Sequence, residues 1–145
     1  MSSVAEIQQD IIEEFEFIAE DREATIFYIM ELGQKLPVLE EELKTEDNII
    51  KGCQSTVWLT ASYTDGKVFY NADSNTDITK GLISLLIRIL SGQTPETILN
   101  TELDFVEKIG MGQVIGSQRS NGFNSMIKQM KLYALGFKAK EQVNQ

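Results

Sequence analysis

Val57-Trp58-Leu59-Thr60-Ala61-Ser62-Tyr63-Thr64-Asp65-Gly66-Lys67-Val68-Phe69-Tyr70-Asn71-Ala72 sets the architecture of the whole chain. Val57, Leu59, Ala61 and Tyr63 alternate with Trp58, Thr60, Ser62 and Thr64, the period-two pattern of a strand with one buried face. Asp65-Gly66 is a favoured pair for a two-residue type I′ turn, and Lys67 to Ala72 then returns antiparallel. That register puts Tyr63 opposite Val68, Ala61 opposite Tyr70 and Leu59 opposite Ala72 on one face. Ser62 with Phe69, Thr60 with Asn71 and Trp58 with Asp73 then share the other. Asn48-Ile49-Ile50-Lys51 is expected as a third, earlier strand, so the sheet is small, antiparallel and built on a hairpin.

Everything outside this stretch has helical period. Ser3-Val4-Ala5-Glu6 has the spacing of a capping box, and Val4, Ile7, Ile11, Phe15 and Ile18 follow as one apolar stripe. Asp21 is expected to cap a second helix that runs through Ile29 and Leu32 and stops at Gly33. Glu40-Glu41-Glu42 predicts a short solvated turn of helix. Leu82, Ile83, Leu85, Leu86, Ile87, Ile89 and Leu90 are apolar nearly all round, which marks a buried central helix ended by Gly92. Thr94-Pro95-Glu96 is a further start signal, with proline at the first helical position. A turn or two of helix is expected over Asp104–Ile109, and the last helix is expected to begin near Ser120. Its buried side is read as Phe123, Met126, Ile127, Met130, Tyr133 and Phe137. The fold class is α+β, Lys35-Leu36-Pro37 is a short linker between elements, and 145 residues without a repeat or low-complexity segment read as one domain, 1–145.

Charge and cysteine usage narrow the function. The net charge is −9, which argues against nucleic acid as a partner. It is unevenly spread: residues 1–48 hold 14 acids and 3 bases, and residues 49–145 hold 8 acids and 10 bases. Such polarity is either a set of solvated helix faces or a surface that orients a protein encounter. The longest apolar run, Leu82 to Leu90, is broken by Ser84 and Arg88 and is too short to span a membrane. No basic region followed by an apolar core opens the chain, and one cysteine suits a reducing compartment, so the expected location is cytoplasmic.

That cysteine lies in Lys51-Gly52-Cys53-Gln54-Ser55-Thr56-Val57-Trp58, at a loop-to-strand junction. The bland alternative is a small buried hydrophobe. Gly52 on one side and the polar Gln54 and Ser55 on the other favour an accessible thiol instead. A thiolate is favoured by a nearby cation or aligned amides, and Lys51 is the local candidate. The absence of histidine excludes a Cys-His nucleophile and His-based metal sites, so no resident metal or cofactor is expected. Gly110-x-Gly112 and Gly116-Ser117-Gln118-Arg119-Ser120 do not make a phosphate loop. What remains is a lone thiol able to accept and pass on a group by nucleophilic exchange.

Lys51-Gly52-Cys53-Gln54-Ser55-x-Val57-Trp58-Leu59 strongly resembles the SufE family, sulfur acceptors that serve cysteine desulfurases in iron–sulfur cluster assembly. Four more segments resemble that family in order: Glu31-Leu32-Gly33-x-Lys35-Leu36-Pro37, Ala72-Asp73-Ser74 with Lys80-Gly81-Leu82-Ile83, Ser91-Gly92-Gln93-Thr94-Pro95-Glu96, and Arg119-Ser120-Asn121-Gly122. The resemblance extends over residues 8–138, and departs in detail at Met111-Gly112-Gln113-Val114. It implies a fold similar to that of IscU scaffolds, with the cysteine on a loop at the edge of the sheet. It also implies that Cys53 takes sulfane sulfur from a desulfurase persulfide, that the desulfurase turns over faster as a result, and that a downstream iron–sulfur scaffold receives the sulfur. On that basis the chain is a sulfur-transfer accessory protein rather than a stand-alone enzyme.

The resemblance also assigns roles to weigh. Arg119 is either a surface ion-pair residue or a cation that stabilises the thiolate or docks the partner. Asp73 either caps the central helix or holds the Cys53 loop at rest. Lys51, Gly52, Gln54 and Ser55 flank the thiol and modulate it, Trp58 packs in the core or beneath the loop, and Gly52 and Gly122 answer backbone requirements. Two other classes stay open: an IscU-like cluster scaffold, and a non-catalytic interaction module with a structural cysteine. Dimerisation is left open.

Overall fold

The hairpin forms in the expected register. In the computed structural model, which describes residues 3–18 and 20–143, β1 (Val57–Thr64) pairs antiparallel with β2 (Lys67–Ser74). Tyr63 lies opposite Val68, Ala61 opposite Tyr70, Leu59 opposite Ala72 and Trp58 opposite Asp73. Asp65 and Gly66 both have positive φ, 53° and 78°, as a type I′ turn requires. Val57, Leu59, Val68, Tyr70 and Ala72 are buried, so the alternation does select the inward face.

The expected third strand shrinks to a single bridge, Ile49 to Trp58, reinforced by the Ile50 amide donating to the Val57 oxygen at 2.8 Å. Gly52, at φ +97°, turns the chain away before a second rung can form. The sheet is therefore two-stranded, flanked on its other side by a bridge from Val68 to Gln93.

The helices are α1 (Val4–Glu16), α2 (Arg22–Gln34), α3 (Asp77–Leu90), α4 (Pro95–Asn100), α5 (Phe105–Lys108) and α6 (Met111–Val143). Single 3-10 turns occupy Glu41–Leu43 and Glu46–Asn48. Local capping explains three of the six starts. Ser3 Oγ accepts the Glu6 amide at 3.2 Å, Asp21 accepts the Ala24 amide at 3.0 Å, and Thr94 accepts the Thr97 amide at 3.2 Å. The capping box is half made: the Glu6 carboxylate takes the Ser3 hydroxyl at 3.2 Å.

Two helix boundaries and the placement of Trp58 differ from expectation, each because of a glycine or of packing. Gly33 does not end α2, which runs on to Gln34. Gly33 is instead where α2 crosses α3: a Cβ there would sit 2.6 Å from the Gly81 nitrogen, and one on Gly81 would overlap the Ile29 carbonyl. The paired absence of side chains lets the two backbones touch. The final helix resumes just after Gly116, close to the expected start near Ser120, but α6 also takes in a short helical stretch, 111–115, before Gly116, whose φ of 82° and ψ of 172° break the helix. Trp58 is not core; it lies on the outer sheet face with the Lys44 ammonium 5.6 Å from its ring centre.

α3 is the axis of the core, with Leu82, Ile83, Leu85, Leu86, Ile89 and Leu90 all buried. The inward hairpin face packs on one side of it and α2 on another, while α6 adds Phe123, Met126, Met130 and Ala134. Tyr70 ties sheet to α6 by donating to the Met130 oxygen at 2.6 Å. Among the described residues no helix is long and apolar enough to cross a membrane.

Candidate functional site

Cys53 sits at the tip of a six-residue excursion between Ile50 and Val57 whose ends are pinned. On the entering side Ile50 is buried and its amide bonds Val57. On the leaving side Thr56 is held three ways by the turn between β2 and α3. Its amide donates to Asn75 Oδ1 at 3.1 Å, and its oxygen accepts from the Asn75 amide at 3.2 Å and from the Ser74 hydroxyl at 2.8 Å. Ser55 accepts from the Thr76 hydroxyl at 3.0 Å, and Thr76 also lies 2.8 Å from the Thr79 hydroxyl. Lys51 is exposed, and Gly52 carries the left-handed turn.

The tip leans against α6. The half-buried thiol donates to the Gly122 main-chain oxygen at 3.4 Å, and a Cβ on Gly122 would lie 3.4 Å from the sulfur. A small pocket of about 80 Å³ opens beside the sulfur. Leu82 and Met126 form its apolar side, Gln54, Ser55, Thr79 and Gln118 its polar side, and Arg119 lines it as well. Burial pushes the Cys53 thiol above its ordinary range, and no cation offsets that rise. At rest the sulfur is thus a protonated, weakly nucleophilic donor rather than a thiolate.

Of the residues singled out in the sequence, Cys53, Gln54, Ser55 and Arg119 line this one pocket. Lys51 and Gly52 belong to the loop but not to the pocket wall. Asp73 lies outside that pocket, and its sequence-based role as a cap of the central helix is corrected. The N-cap of α3 is Thr76. The nearly buried Asp73 carboxylate pairs instead with Lys44 at 3.1 Å and Lys80 at 3.3 Å, and accepts the Ser74 amide at 2.8 Å. Its work is to fasten the segment before the loop to β2 and α3. The loop is held at rest by Ser74, Asn75 and Thr76, the residues that follow Asp73 in the turn between β2 and α3. Gln118 was not read as a site residue, and Met126 was read only as core; a helical period projected both ways from Gly122 would have put both on its face.

The SufE family model, described as an Fe-S metabolism associated domain, matches residues 9–134. The chain belongs to the SufE family. It is 41% identical over 105 residues to an uncharacterized SufE-like protein of Synechocystis, covering 72% of this chain and 66% of that one. It is 35% identical over 133 residues to SufE-like protein 1, chloroplastic/mitochondrial, of Arabidopsis thaliana, covering 91% of this chain and 36% of that one. An uncharacterized SufE-like protein of Rhizobium meliloti is 35% identical over 131 residues, covering 87% and 93%. The chain thus spans about two thirds and about a third of the first two relatives. Its α+β fold is shared with the solution structure of a hypothetical protein from Thermus thermophilus, at a TM-score of 0.72 and 18% identity over 90% of this chain and 94% of that one.

Proposed function

We propose that this SufE-family chain is a sulfur carrier: Cys53 receives sulfane sulfur from a cysteine desulfurase and delivers it to an iron–sulfur assembly scaffold. The observation that carries this reading is the placement of the lone thiol, at the tip of a pinned loop beside a pocket lined by Arg119. In the first step the Cys53 thiolate attacks the outer sulfur of the desulfurase's cysteine persulfide. A new S–S bond forms at Cys53, the old one breaks, and its electron pair leaves on the desulfurase cysteine as thiolate. No net oxidant or reductant is needed. Removing that sulfur frees the desulfurase for another turnover, so the carrier stimulates its partner without being an enzyme alone.

The protonated resting thiol suits such a role only if docking changes its surroundings. The loop tip is therefore proposed to swing out on the partner, where exposure to water and the nearby Arg119 favour thiolate. Between encounters the same shelter limits attack by small thiols. The site of action proposed is the cytoplasm.

The test is an intact-mass spectrum after incubation with a cysteine desulfurase and free cysteine, without reductant. A gain of one sulfur atom, absent in Cys53→Ser and reversed by dithiothreitol, is the expected result. No gain with a desulfurase shown to bind the protein would overturn the proposal.

A further inference from the structure

The loop tip is held by shape more than by bonds. With Ile50 fixed to Val57, and Ser55 and Thr56 fixed to the 74–76 turn, only Lys51-Gly52-Cys53-Gln54 is free to move as a unit. Among the described residues the side chains of this segment make one hydrogen bond to the rest of the protein, the thiol to Gly122, and a thiol is a weak donor. Two residues of α6 one turn apart receive the tip: Gly122 beneath Cys53 and Ser125 beneath Gly52. The second fit is the tighter one, because a Cβ on Gly52 would overlap the Ser125 hydroxyl. Ser125 Oγ is itself held by the Asn121 oxygen at 3.1 Å, so it cannot yield without losing that bond.

We infer that Ser125 is a positioning residue for Cys53, its small side chain under Gly52 setting how firmly the loop tip rests on α6 and how readily the thiol is presented. This deepens the sulfur-carrier proposal and rests on it for its purpose, but the geometry concerns the isolated chain. A larger side chain at position 125 lifts Gly52, breaks the bond from Cys53 to Gly122 and exposes the sulfur. The flanking anchors and the core are untouched.

The test is the rate of Cys53 alkylation by iodoacetamide, followed across pH on the protein alone. In Ser125→Leu the labelling midpoint is expected to move down toward that of an ordinary cysteine. At fixed pH below the midpoint the thiolate fraction rises about tenfold for each unit of that fall. Melting temperature should change little, which separates loop release from general loosening. An unchanged rate and midpoint in a folded Ser125→Leu protein overturns the inference. A cycle of Gly52→Ala with Ser125→Gly decides the matter even if Ser125→Leu does not fold. Removing the hydroxymethyl should reverse part of the faster labelling caused by Gly52→Ala, and purely additive effects overturn the inference. Alkylation needs no desulfurase, so failure here is distinguishable from failure to take up sulfur.

Discussion

The Cys53 sulfur and the Gly122 main-chain oxygen lie 3.4 Å apart although 69 positions separate them in the chain. That one approach places the reactive group of a flexible loop on the most rigid kind of support available, a helix backbone. Because Gly122 has no side chain, the sulfur reaches the helix itself, and it is the resulting burial that keeps the thiol protonated.

The thiol should therefore titrate late. Alkylation of the resting protein is expected to rise with pH through a midpoint above the range of about 8.5 usual for cysteine. In denaturant the midpoint should return to that range. Because the folded-state value is raised, burial of the neutral thiol contributes stability below the unfolded value, and the contribution is lost as pH climbs through the folded one. Identical midpoints in the native and denatured protein would show that burial does not control the thiol.

Asp73 is the polar node whose loss should cost most. Burial raises its carboxyl, but Lys44, the Ser74 amide and Lys80 together outweigh that and hold it below the usual range. Asp73→Ala leaves two half-buried ammonium groups without their shared partner, and should destabilise the protein by about 2 kcal/mol at neutral pH. The stability due to this carboxylate is present above the unfolded value and is lost as pH falls through the depressed folded value. Urea unfolding of Asp73→Asn should accordingly show a flatter acid limb than the parent, and parallel limbs would remove the node's importance.

Two glycine-to-alanine changes should have opposite signs. Gly81→Ala drives a methyl group into the Ile29 main chain, so the α2–α3 crossing must separate, at a cost of about 3 kcal/mol or more. Gly136, exposed on α6, has nothing within 4 Å of where a Cβ would stand. Gly136→Ala should stabilise the helix by about 1 kcal/mol, since alanine loses less backbone entropy. Thermal unfolding of the two variants checks both signs in one experiment.

The anchors of the Cys53 loop can be separated by amide hydrogen exchange. Asn75→Ala removes the acceptor of the Thr56 amide while leaving the bond from Ile50 to Val57 in place. Exchange at Thr56 should accelerate by the several-fold that about 1 kcal/mol implies, with Ile50 unaffected. Equal acceleration at both amides would mean that the two ends open together and are not independent anchors.

How legible these features were depends on how far apart the interacting atoms lie along the chain. The hairpin register was readable because alternation and the Asp65-Gly66 turn act within a few residues. Ser3, Asp21 and Thr94 were readable as caps for the same reason, since each meets an amide three residues away. Gly33 was misread because a glycine that ends a helix and one that admits a crossing helix look the same until Gly81 is brought beside it. Ile49-Ile50 has the composition of a strand, yet pairing stopped at one rung because Gly52 redirected the chain. The last helix was readable to within a few residues, but the short stretch 111–115 before it was not, because the break at Gly116 lies in backbone angles that composition does not display.

By itself the sequence determined the family and the local frame. It holds a single cysteine and no histidine, and the motif about Cys53 with four ordered companions marks the SufE family. Those are properties of residue identity and short spacing, which no folding event can alter. The tertiary structure alone decided the state of that cysteine. Asp73 went to Lys44 and Lys80 rather than to the loop, Ser55 and Thr56 were fastened to the 74–76 turn, and Gly122 and Ser125 came beneath the thiol. Each is a contact between segments remote in sequence, so its energy depends on packing, and packing is what turned a reactive residue type into a sheltered, protonated one.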